Sequence, residues 1–318
     1  MTSPRWLRLL VVPAFLALSC SGNSTTPVTP TPTPNPAPTP TPAPTPVPSL
    51  TAILAGAGDI ADCANDGGAH AEATARLLDA MPEAAIFTAG DNAYFFGNAA
   101  DYNNCYHPRW GRHRSRTYPS PGNHEYESGT NGFPYFDYFG GRAGERNAGF
   151  YSYTLGNWHI VSLNSNLPVG PGSEQVRWLA ADLESNSRSA TARCTLAYWH
   201  HPLFTSGPSG GSGGLMREVW KVLYDRGVDV VVNGHDHLYE RYFPQDPSAI
   251  RGPAGITEYI VGTGGAPLYD FGATAPNSAN RFRAYGVLYF TLRDVGWDSV
   301  FVEAGSEARL DFTSNLCH

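Results

Sequence analysis

The chain has 318 residues, 21 basic and 28 acidic side chains, and a formal net charge of −7. Arginine is scattered and lysine is nearly absent, so the chain lacks the basic stripe that electrostatic binding to long nucleic acid requires. No nucleic-acid partner is therefore expected.

The first twenty residues have the pattern of an export signal. Two arginines precede an apolar run over residues 9–18, which is too short to span a bilayer as a mature helix. Small Ser19 lies directly before Cys20, so residues 1–20 resemble a bacterial lipoprotein signal that leaves Cys20 lipidated. The alternative is an ordinary secretory signal cleaved between Ser19 and Asn23. Both interpretations place the rest of the chain outside the cytoplasm, and the first anchors it to a membrane of the cell envelope.

Residues 21–49 consist largely of Thr-Pro and Ala-Pro repeats without aromatic or charged side chains. Such a segment cannot bury a core, which predicts a disordered linker of extended polyproline character. Residues 50–318 are long enough to form one large globular domain, and we expect a single catalytic domain there.

From residue 52 onward, apolar runs typical of strands alternate with helical periodicity. A β-α-β unit is predicted first, with elements at 52–57, 69–81 and 84–89. Strands are then predicted at 159–164, 195–199 and 228–232, and helices at 173–183 and 216–226. The last part reads as strands only, at 258–261, 286–292 and 299–302. This order predicts an α/β layered sandwich.

Polar side chains follow the predicted strands where each strand ends. They are Asp59, Asp91, His200 and the pair His235 and His237, and a Gly-Asn-His-Glu segment containing Asn123 lies between them in the chain. Because the carboxyl ends of strands in an α/β sheet share one edge, these side chains should converge on one site. The glycines preceding Asp59, Asp91, Asn123 and His235 are expected to let the backbone turn sharply.

These residue types suit a site with two metal ions, which needs a bridging carboxylate and several neutral ligands for each ion. Asp91 is the predicted bridge. Asp59 is assigned to the first metal, and Asn123, through its amide oxygen, and His200 to the second. His235 and His237 are two apart on an extended segment, so their rings point the same way and one can serve each metal.

The ordered set Gly-Asp, Gly-Asp-x-x-Tyr, Gly-Asn-His-Glu, a histidine after a strand, and Gly-His-x-His resembles the motifs of the calcineurin-like metallophosphoesterases. The resemblance implies a four-layer α/β/β/α sandwich with the dimetal site at the carboxyl ends of the strands. Most members have a histidine ligand at the position of Ala61, which cannot bind metal. Tyr94 can replace that ligand with a phenolate, as in the purple acid phosphatases, of which the chain resembles a small single-domain form. A packing aromatic is the alternative for Tyr94.

The resemblance also implies roles for individual residues. Fe(III) would be held by Asp59, Asp91, Tyr94 and His237. A divalent Zn, Fe or Mn would be held by Asp91, Asn123, His200 and His235. His124 would contact the phosphate and protonate the leaving group. His201, Glu125 and Asp236 are interpreted as residues that orient ligands, cap the backbone or approach the substrate.

The expected activity is hydrolysis of small phosphate monoesters by in-line attack of a metal-bound hydroxide. A phosphodiesterase or nucleotidase using the same metals is the alternative among enzymes. A surface-anchored binding lipoprotein is the alternative outside enzymes, but every predicted ligand position is filled and His124 is present.

Once Cys20 is assigned to the lipid, four cysteines remain, which permits two disulfides. Cys63 and Cys105 each follow a metal motif and could pair, which would leave Cys194 for Cys317. Other pairings remain open at the level of sequence.

Overall fold

The computed structural model describes Gly22, residues 51–187 and residues 194–318. The predicted signal segment 1–20 with Cys20, and the predicted linker 21–49 apart from Gly22, lie outside the described residues. The described residues from 51 onward all belong to one structural unit. Among them, no helix has the length and apolar character needed to cross a bilayer.

The regular elements lie in the following order. The strands are β1 Ala52–Ala57, β2 Ala85–Ala89, β3 Thr117–Ser120, β4 Tyr151–Leu155, β5 Trp158–Ser162, β6 Cys194–Tyr198, β7 Val230–Asn233, β8 Tyr239–Tyr242, β9 Thr257–Val261, β10 Ser278–Phe282, β11 Gly286–Arg293, β12 Gly296–Glu303 and β13 Arg309–Leu316. The α-helices are α1 Cys63–Asp66, α2 Ala69–Asp79, α3 Ala99–Asp101, α4 His124–Glu127, α5 Phe133–Phe139, α6 Glu174–Ser187 and α7 Arg217–Asp225. A π-helical turn spans Tyr102–Tyr106, and 3₁₀ turns span Trp110–Arg116 and Gly140–Ala143.

The strands form two mixed sheets. The first has the order β13-β12-β11-β1-β2-β3, in which β1, β2 and β3 are parallel. The second has the order β10-β8-β9-β7-β6-β5-β4, in which β5, β6, β7 and β9 are parallel. Parallel strands of one sheet end at the same edge, so the loops after β1, β2 and β3 share an edge, as do those after β6 and β7.

The two sheets pack face to face and helices cover their outer faces. Successive side chains of a strand point to opposite faces. On β6, Leu196 and Tyr198 join the core that also contains residues of the first sheet. Ala197 lies on the opposite face and joins the cluster formed with helices α6 and α7. Helix α2 contacts β11 of the first sheet, which completes the predicted α/β/β/α order.

The strongly apolar elements match the sequence predictions. The predicted strand at 52–57 is β1, and the predicted helices at 69–81, 173–183 and 216–226 correspond to α2, α6 and α7. Strands β3, β4, β8, β10 and β13 were not anticipated. β3 contains Pro119, and β10 is half-buried along its whole length, so neither has the apolar run that marks a strand.

Two disulfides link distant parts of the chain. Cys63 is bonded to Cys105, and Cys194 on β6 is bonded to Cys317 near the carboxyl end. This is the pairing suggested by the positions of Cys63 and Cys105 after two of the sequence motifs. The second bond ties the segment after β13 to the second sheet, although β13 itself belongs to the first.

Candidate metal centre

The predicted ligands meet where the strands end. Asp59 follows β1, Asp91 follows β2 and Asn123 follows β3, all from the first sheet. His200 follows β6, and the segment with His235 and His237 follows β7, both from the second sheet. The site therefore lies where the edges of the two sheets meet, and each sheet supplies part of it.

One group of side chains surrounds the hydroxyl of Tyr94. Its oxygen lies 3.1 Å from Asp59 Oδ1, 3.2 Å from Asp91 Oδ2 and 3.2 Å from His237 Nε2. All four side chains are buried. We call these four residues the tyrosine cluster.

A second group surrounds the ring of His200. Its Nε2 lies 3.0 Å from Asn123 Oδ1, 3.2 Å from His235 Nδ1 and 3.2 Å from Asp91 Oδ2. We call Asp91, Asn123, His200 and His235 the histidine cluster. The same oxygen, Asp91 Oδ2, belongs to both clusters.

Three of the predicted ligands have left-handed backbone, which sets the direction of their side chains. Asp59, Asp91 and His235 have φ values of 58°, 49° and 71°, which few residues other than glycine adopt and which often mark functional sites. The expectation that the preceding glycines make the sharp turns is therefore corrected, since only Gly90 among them has a positive φ.

Two of the other glycines, Gly122 and Gly234, leave room for the carboxylates. A Cβ on Gly122 would lie 2.0 Å from Asp91 Oδ1, and one on Gly234 would lie 2.5 Å from Asp59 Oδ2. Both distances are shorter than any real Cβ contact, so a larger residue at either position would displace a carboxylate.

Hydrogen bonds to groups outside the clusters orient three of the predicted ligands. His200 Nδ1 lies 2.9 Å from Ala89 O, and His237 Nδ1 lies 2.8 Å from Pro267 O. A carbonyl oxygen only accepts, so both Nδ1 atoms are the donors. Asn123 donates its Nδ2 to Glu127 Oε1 at 3.0 Å, which turns the amide oxygen toward the cluster.

The side-chain atoms that face one another in the two clusters are suited to binding cations. With Nδ1 protonated, a neutral His200 presents a lone pair at Nε2 to the oxygens of Asn123 and Asp91, and a neutral His237 does the same toward Asp59. These contacts place acceptors against acceptors in a buried space, which is unfavourable unless a positive charge lies between them. Among the described residues, histidines are the only ion-pair partners of Asp59 and Asp91. Two carboxylates, an amide oxygen, a phenol and three imidazoles are suitable ligands for such ions.

Without a cation, the electrostatics of the clusters favour the protonated forms of His200 and Tyr94. Burial opposes charge on His200, but the adjacent Asp91 outweighs burial and raises the pKa of His200 to about 9. Burial, followed by Asp59 and Asp91, raises the pKa of Tyr94 well above its usual value. A bound cation reverses both preferences, because it stabilises the phenolate form of Tyr94 and the neutral form of the imidazole.

A sequence profile of the calcineurin-like phosphoesterases matches residues 54–239, which is more than half of the chain. The chain belongs to this family. The matched range includes all the residues of both clusters, from Asp59 to His237.

Relatives within the family include purple acid phosphatases, as the sequence predicted. Purple acid phosphatase 15 of Arabidopsis thaliana is 34% identical over 123 residues, covering 36% of this chain and 22% of the relative. Purple acid phosphatase 23 of the same plant is 30% identical over 182 residues, covering 50% of this chain and 38% of the relative. The chain thus spans well under half the length of these relatives.

The fold has a solved counterpart. The structure of purple acid phosphatase PPD1 from yellow lupin seeds matches with a TM-score of 0.71 at 19% identity, covering 84% of this chain and 54% of the lupin chain. The predicted superfamily, purple acid phosphatase-like character and sandwich architecture are confirmed by these matches.

The remaining predicted residues surround the clusters in this family member. Glu125 is buried, and its carboxylate accepts from the backbone amides of Asp91, Asn92 and Gly122 at 2.7–3.1 Å. It therefore joins the loop after β2 to the loop after β3. Asp236 accepts from Thr205 Oγ1 at 2.6 Å and so holds the start of the loop after β6.

His201 lies beside the histidine cluster. Its ring centre is 4.4 Å from that of His235, and its Nδ1 is 2.8 Å from Ser165 Oγ. Burial, together with the neighbouring His200 and His235, lowers the pKa of His201 to about 2. His201 thus packs against a cluster residue in surroundings that disfavour the charged form of its ring.

Several contributors were not found from the sequence. Tyr269 stacks on His237 with ring centres 4.1 Å apart, and Pro267 supplies the carbonyl that orients the same ring. Both lie in an irregular loop without a motif, so no sequence signal indicated them. Glu127 contacts Asn123 and His124, and its position three residues after His124 on helix α4 was a usable signal.

Proposed function

We propose that this chain is a metal-dependent phosphoesterase of the purple acid phosphatase type that hydrolyses phosphate monoesters. The observation that carries the proposal is the position of Asp91 Oδ2, 3.2 Å from both Tyr94 OH and His200 Nε2. A carboxylate oxygen common to two ligand groups is what a pair of adjacent metal ions requires.

In this proposal the tyrosine cluster holds Fe(III) and the histidine cluster holds a divalent Zn, Fe or Mn. A buried phenol between two carboxylates gives up its proton only to a highly charged ion, which favours a hard trivalent metal beside Tyr94. When bound, the two ions would supply a water-derived nucleophile near neutral pH and neutralise charge on the phosphoryl oxygens.

His124 is proposed as the general acid. Its backbone amide donates to Asp91 Oδ1 at 3.0 Å, and its Nδ1 donates to Phe95 O at 2.7 Å. These bonds direct Nε2 toward Asp91 Oδ2, 3.7 Å away. As the bond from phosphorus to the leaving oxygen breaks and the bond to the water oxygen forms, a proton at Nε2 passes to the leaving oxygen.

A small phosphate ester is the proposed substrate, and hydrolysis should favour monoesters over diesters. The purified protein, loaded with iron and zinc, should turn over para-nitrophenyl phosphate faster than its bis ester. It should also contain about one iron per chain and absorb broadly in the green to yellow region, because tyrosinate bound to Fe(III) produces a charge-transfer band. Faster turnover of the bis ester would favour the phosphodiesterase alternative, and inactivity toward both esters would contradict the enzyme assignment.

Tyr94→Phe is the matched control for the metal assignment. It removes the hydroxyl and keeps the ring, so the visible band should disappear while the protein remains folded. A colourless wild-type protein with two zinc or two manganese ions would reject Fe(III) in the tyrosine cluster.

We also propose that the chain is exported and anchored through lipidated Cys20. The two disulfides support export because such bonds persist in oxidising compartments. The wild-type protein should fractionate with membranes in a bacterial host, and Cys20→Ala should release it into the soluble fraction. Release of the wild type and the variant alike would favour the ordinary secretory signal.

A further inference from the structure

Two neighbouring phenylalanines are exposed directly after a residue of the tyrosine cluster. Phe95 is 54% exposed and Phe96 is 50% exposed, and they follow Tyr94 in the chain. Among the large apolar side chains exposed in the described part of the chain, this pair alone is adjacent in sequence. Exposed aromatic surface beside a polar site commonly marks a place where a ligand binds.

The pair borders a cavity of about 360 Å³. Tyr94, Phe95 and Phe96 line it, together with the disulfide between Cys63 and Cys105. Aromatic faces and sulfur atoms both make favourable contacts with a flat ring. The chemistry of these walls therefore suits an aromatic group.

The charge of the cavity selects against anions. Asp101 also lines it, and none of the described lining residues is Lys or Arg. A ligand that brought a second phosphate or carboxylate into this space would meet the Asp101 carboxylate without a compensating cation. An uncharged group is preferred.

Phe95 links the cavity to the residue assigned to the leaving group. The ring of Phe95 packs edge-on against that of His124, with centres 5.0 Å apart and planes at 76°. The carbonyl of Phe95 accepts from His124 Nδ1 at 2.7 Å. A group attached to the oxygen that His124 protonates would therefore lie next to Phe95.

The backbone that carries the pair is held in place before any ligand binds. Tyr94 N donates to Ala61 O at 2.9 Å, and Phe96 N donates to Asp101 Oδ2 at 3.0 Å. Because these bonds already restrain the segment, less conformational entropy is lost when a ligand stacks on the rings.

We propose that Phe95 and Phe96 bind the leaving group, and that the preferred substrates are phosphate monoesters whose leaving group carries an uncharged aromatic ring. This inference rests on the proposed function, since it assigns the substrate class of the same site. Phe95 acts as a specificity residue here, and the phosphate itself is bound elsewhere, at the two clusters.

The test compares two esters that both leave as primary alcohols, 2-phenylethyl phosphate and n-propyl phosphate. The ratio of their kcat/KM values should favour the aromatic ester in the wild type, and Phe95→Ala should lower that ratio about three- to ten-fold. Phe96→Ala should lower the ratio less, because the ring that packs against His124 is that of Phe95. Any effect of Phe95→Ala on His124 itself acts on both esters and cancels in the ratio.

Phe312→Ala is the matched control, since Phe312 is 59% exposed and lies on edge strand β13. It should leave the ratio unchanged. Phe95→Tyr keeps the ring and should retain the preference. Binding can be measured without turnover by using phenylphosphonate and methylphosphonate with the metal-loaded protein. Phe95→Ala should weaken the binding of phenylphosphonate and leave that of methylphosphonate unchanged.

The possible failures can be told apart. If the wild type hydrolyses both esters without preference, or Phe95→Ala leaves the ratio and the binding of phenylphosphonate unchanged, the leaving-group assignment is wrong and the phosphoesterase assignment stands. If the metal-loaded wild type hydrolyses neither ester, the proposed function fails and this inference fails with it.

Discussion

Replacing Asp91 by alanine should lower kcat/KM for para-nitrophenyl phosphate by more than about 100-fold and should reduce the content of both metals. The reason is that Asp91 Oδ2 lies 3.2 Å from both Tyr94 OH and His200 Nε2, so its loss opens both clusters at once. Mutation of a residue that only orients a metal ligand typically lowers metal affinity or activity about 10- to 100-fold. Loss of a ligand common to two ions should have a larger effect. Steady-state kinetics and metal analysis of the purified variant measure both effects.

Asp182→Ala is the control for this variant. The Asp182 carboxylate also contacts a histidine, 2.7 Å from His159 Nε2, but neither residue belongs to a cluster. It should keep wild-type metal content and rate. Asp91→Asn, which keeps the size of the side chain, separates loss of charge from loss of folding. An Asp91→Ala protein with both metals and normal activity would show that the shared-carboxylate assignment is incorrect.

Replacing His124 by alanine should lower kcat by about 10²- to 10⁴-fold and leave the metal content intact. His124 donates its backbone amide to Asp91, a contact that alanine retains, whereas the ring that directs Nε2 toward the site is lost. The loss should be larger for n-propyl phosphate than for para-nitrophenyl phosphate, because the nitrophenolate leaves readily without a proton. Kinetics with both esters, together with metal analysis, provide the measurement.

The dependence on the leaving group distinguishes an acid from a positioning residue. A His124→Ala protein that slowed equally on both esters would indicate that the ring only positions the phosphate. His159→Ala provides a matched control, since this histidine pairs with Asp182 away from the clusters. It should change neither the rates nor their ratio.

Sequence reasoning was reliable where residue type alone decides the outcome. Strands β1, β6 and β7 are buried along most of their length, so dense apolar runs identified them. Strands such as β3 and β10 owe their existence to pairing with neighbours, and their own residues carry little signal. The same reasoning placed Asp59, Asp91 and His200 at strand ends, where the fold brings them together.

The orientation of the candidate ligands could not be predicted from residue type. It depends on the left-handed backbone at Asp59 and His235, and on the contact of Gly234 with a carboxylate from the other sheet. These features arise only when residues far apart in the chain are packed against each other. For that reason the expectation about the glycines was wrong at Gly58, Gly122 and Gly234, and it held only at Gly90.

The sequence by itself determined the order and chemical identity of the candidate ligands, and the apolar strands that carry them to a common edge. Tertiary structure alone decided which oxygen of Asp91 is shared and which ring nitrogen of His200 and His237 faces the site. That choice is made by the carbonyls of Ala89 and Pro267, which occupy Nδ1 of each ring and leave Nε2 facing the clusters. A backbone carbonyl has the same chemistry in every residue, so only its position in the folded chain can give it this role.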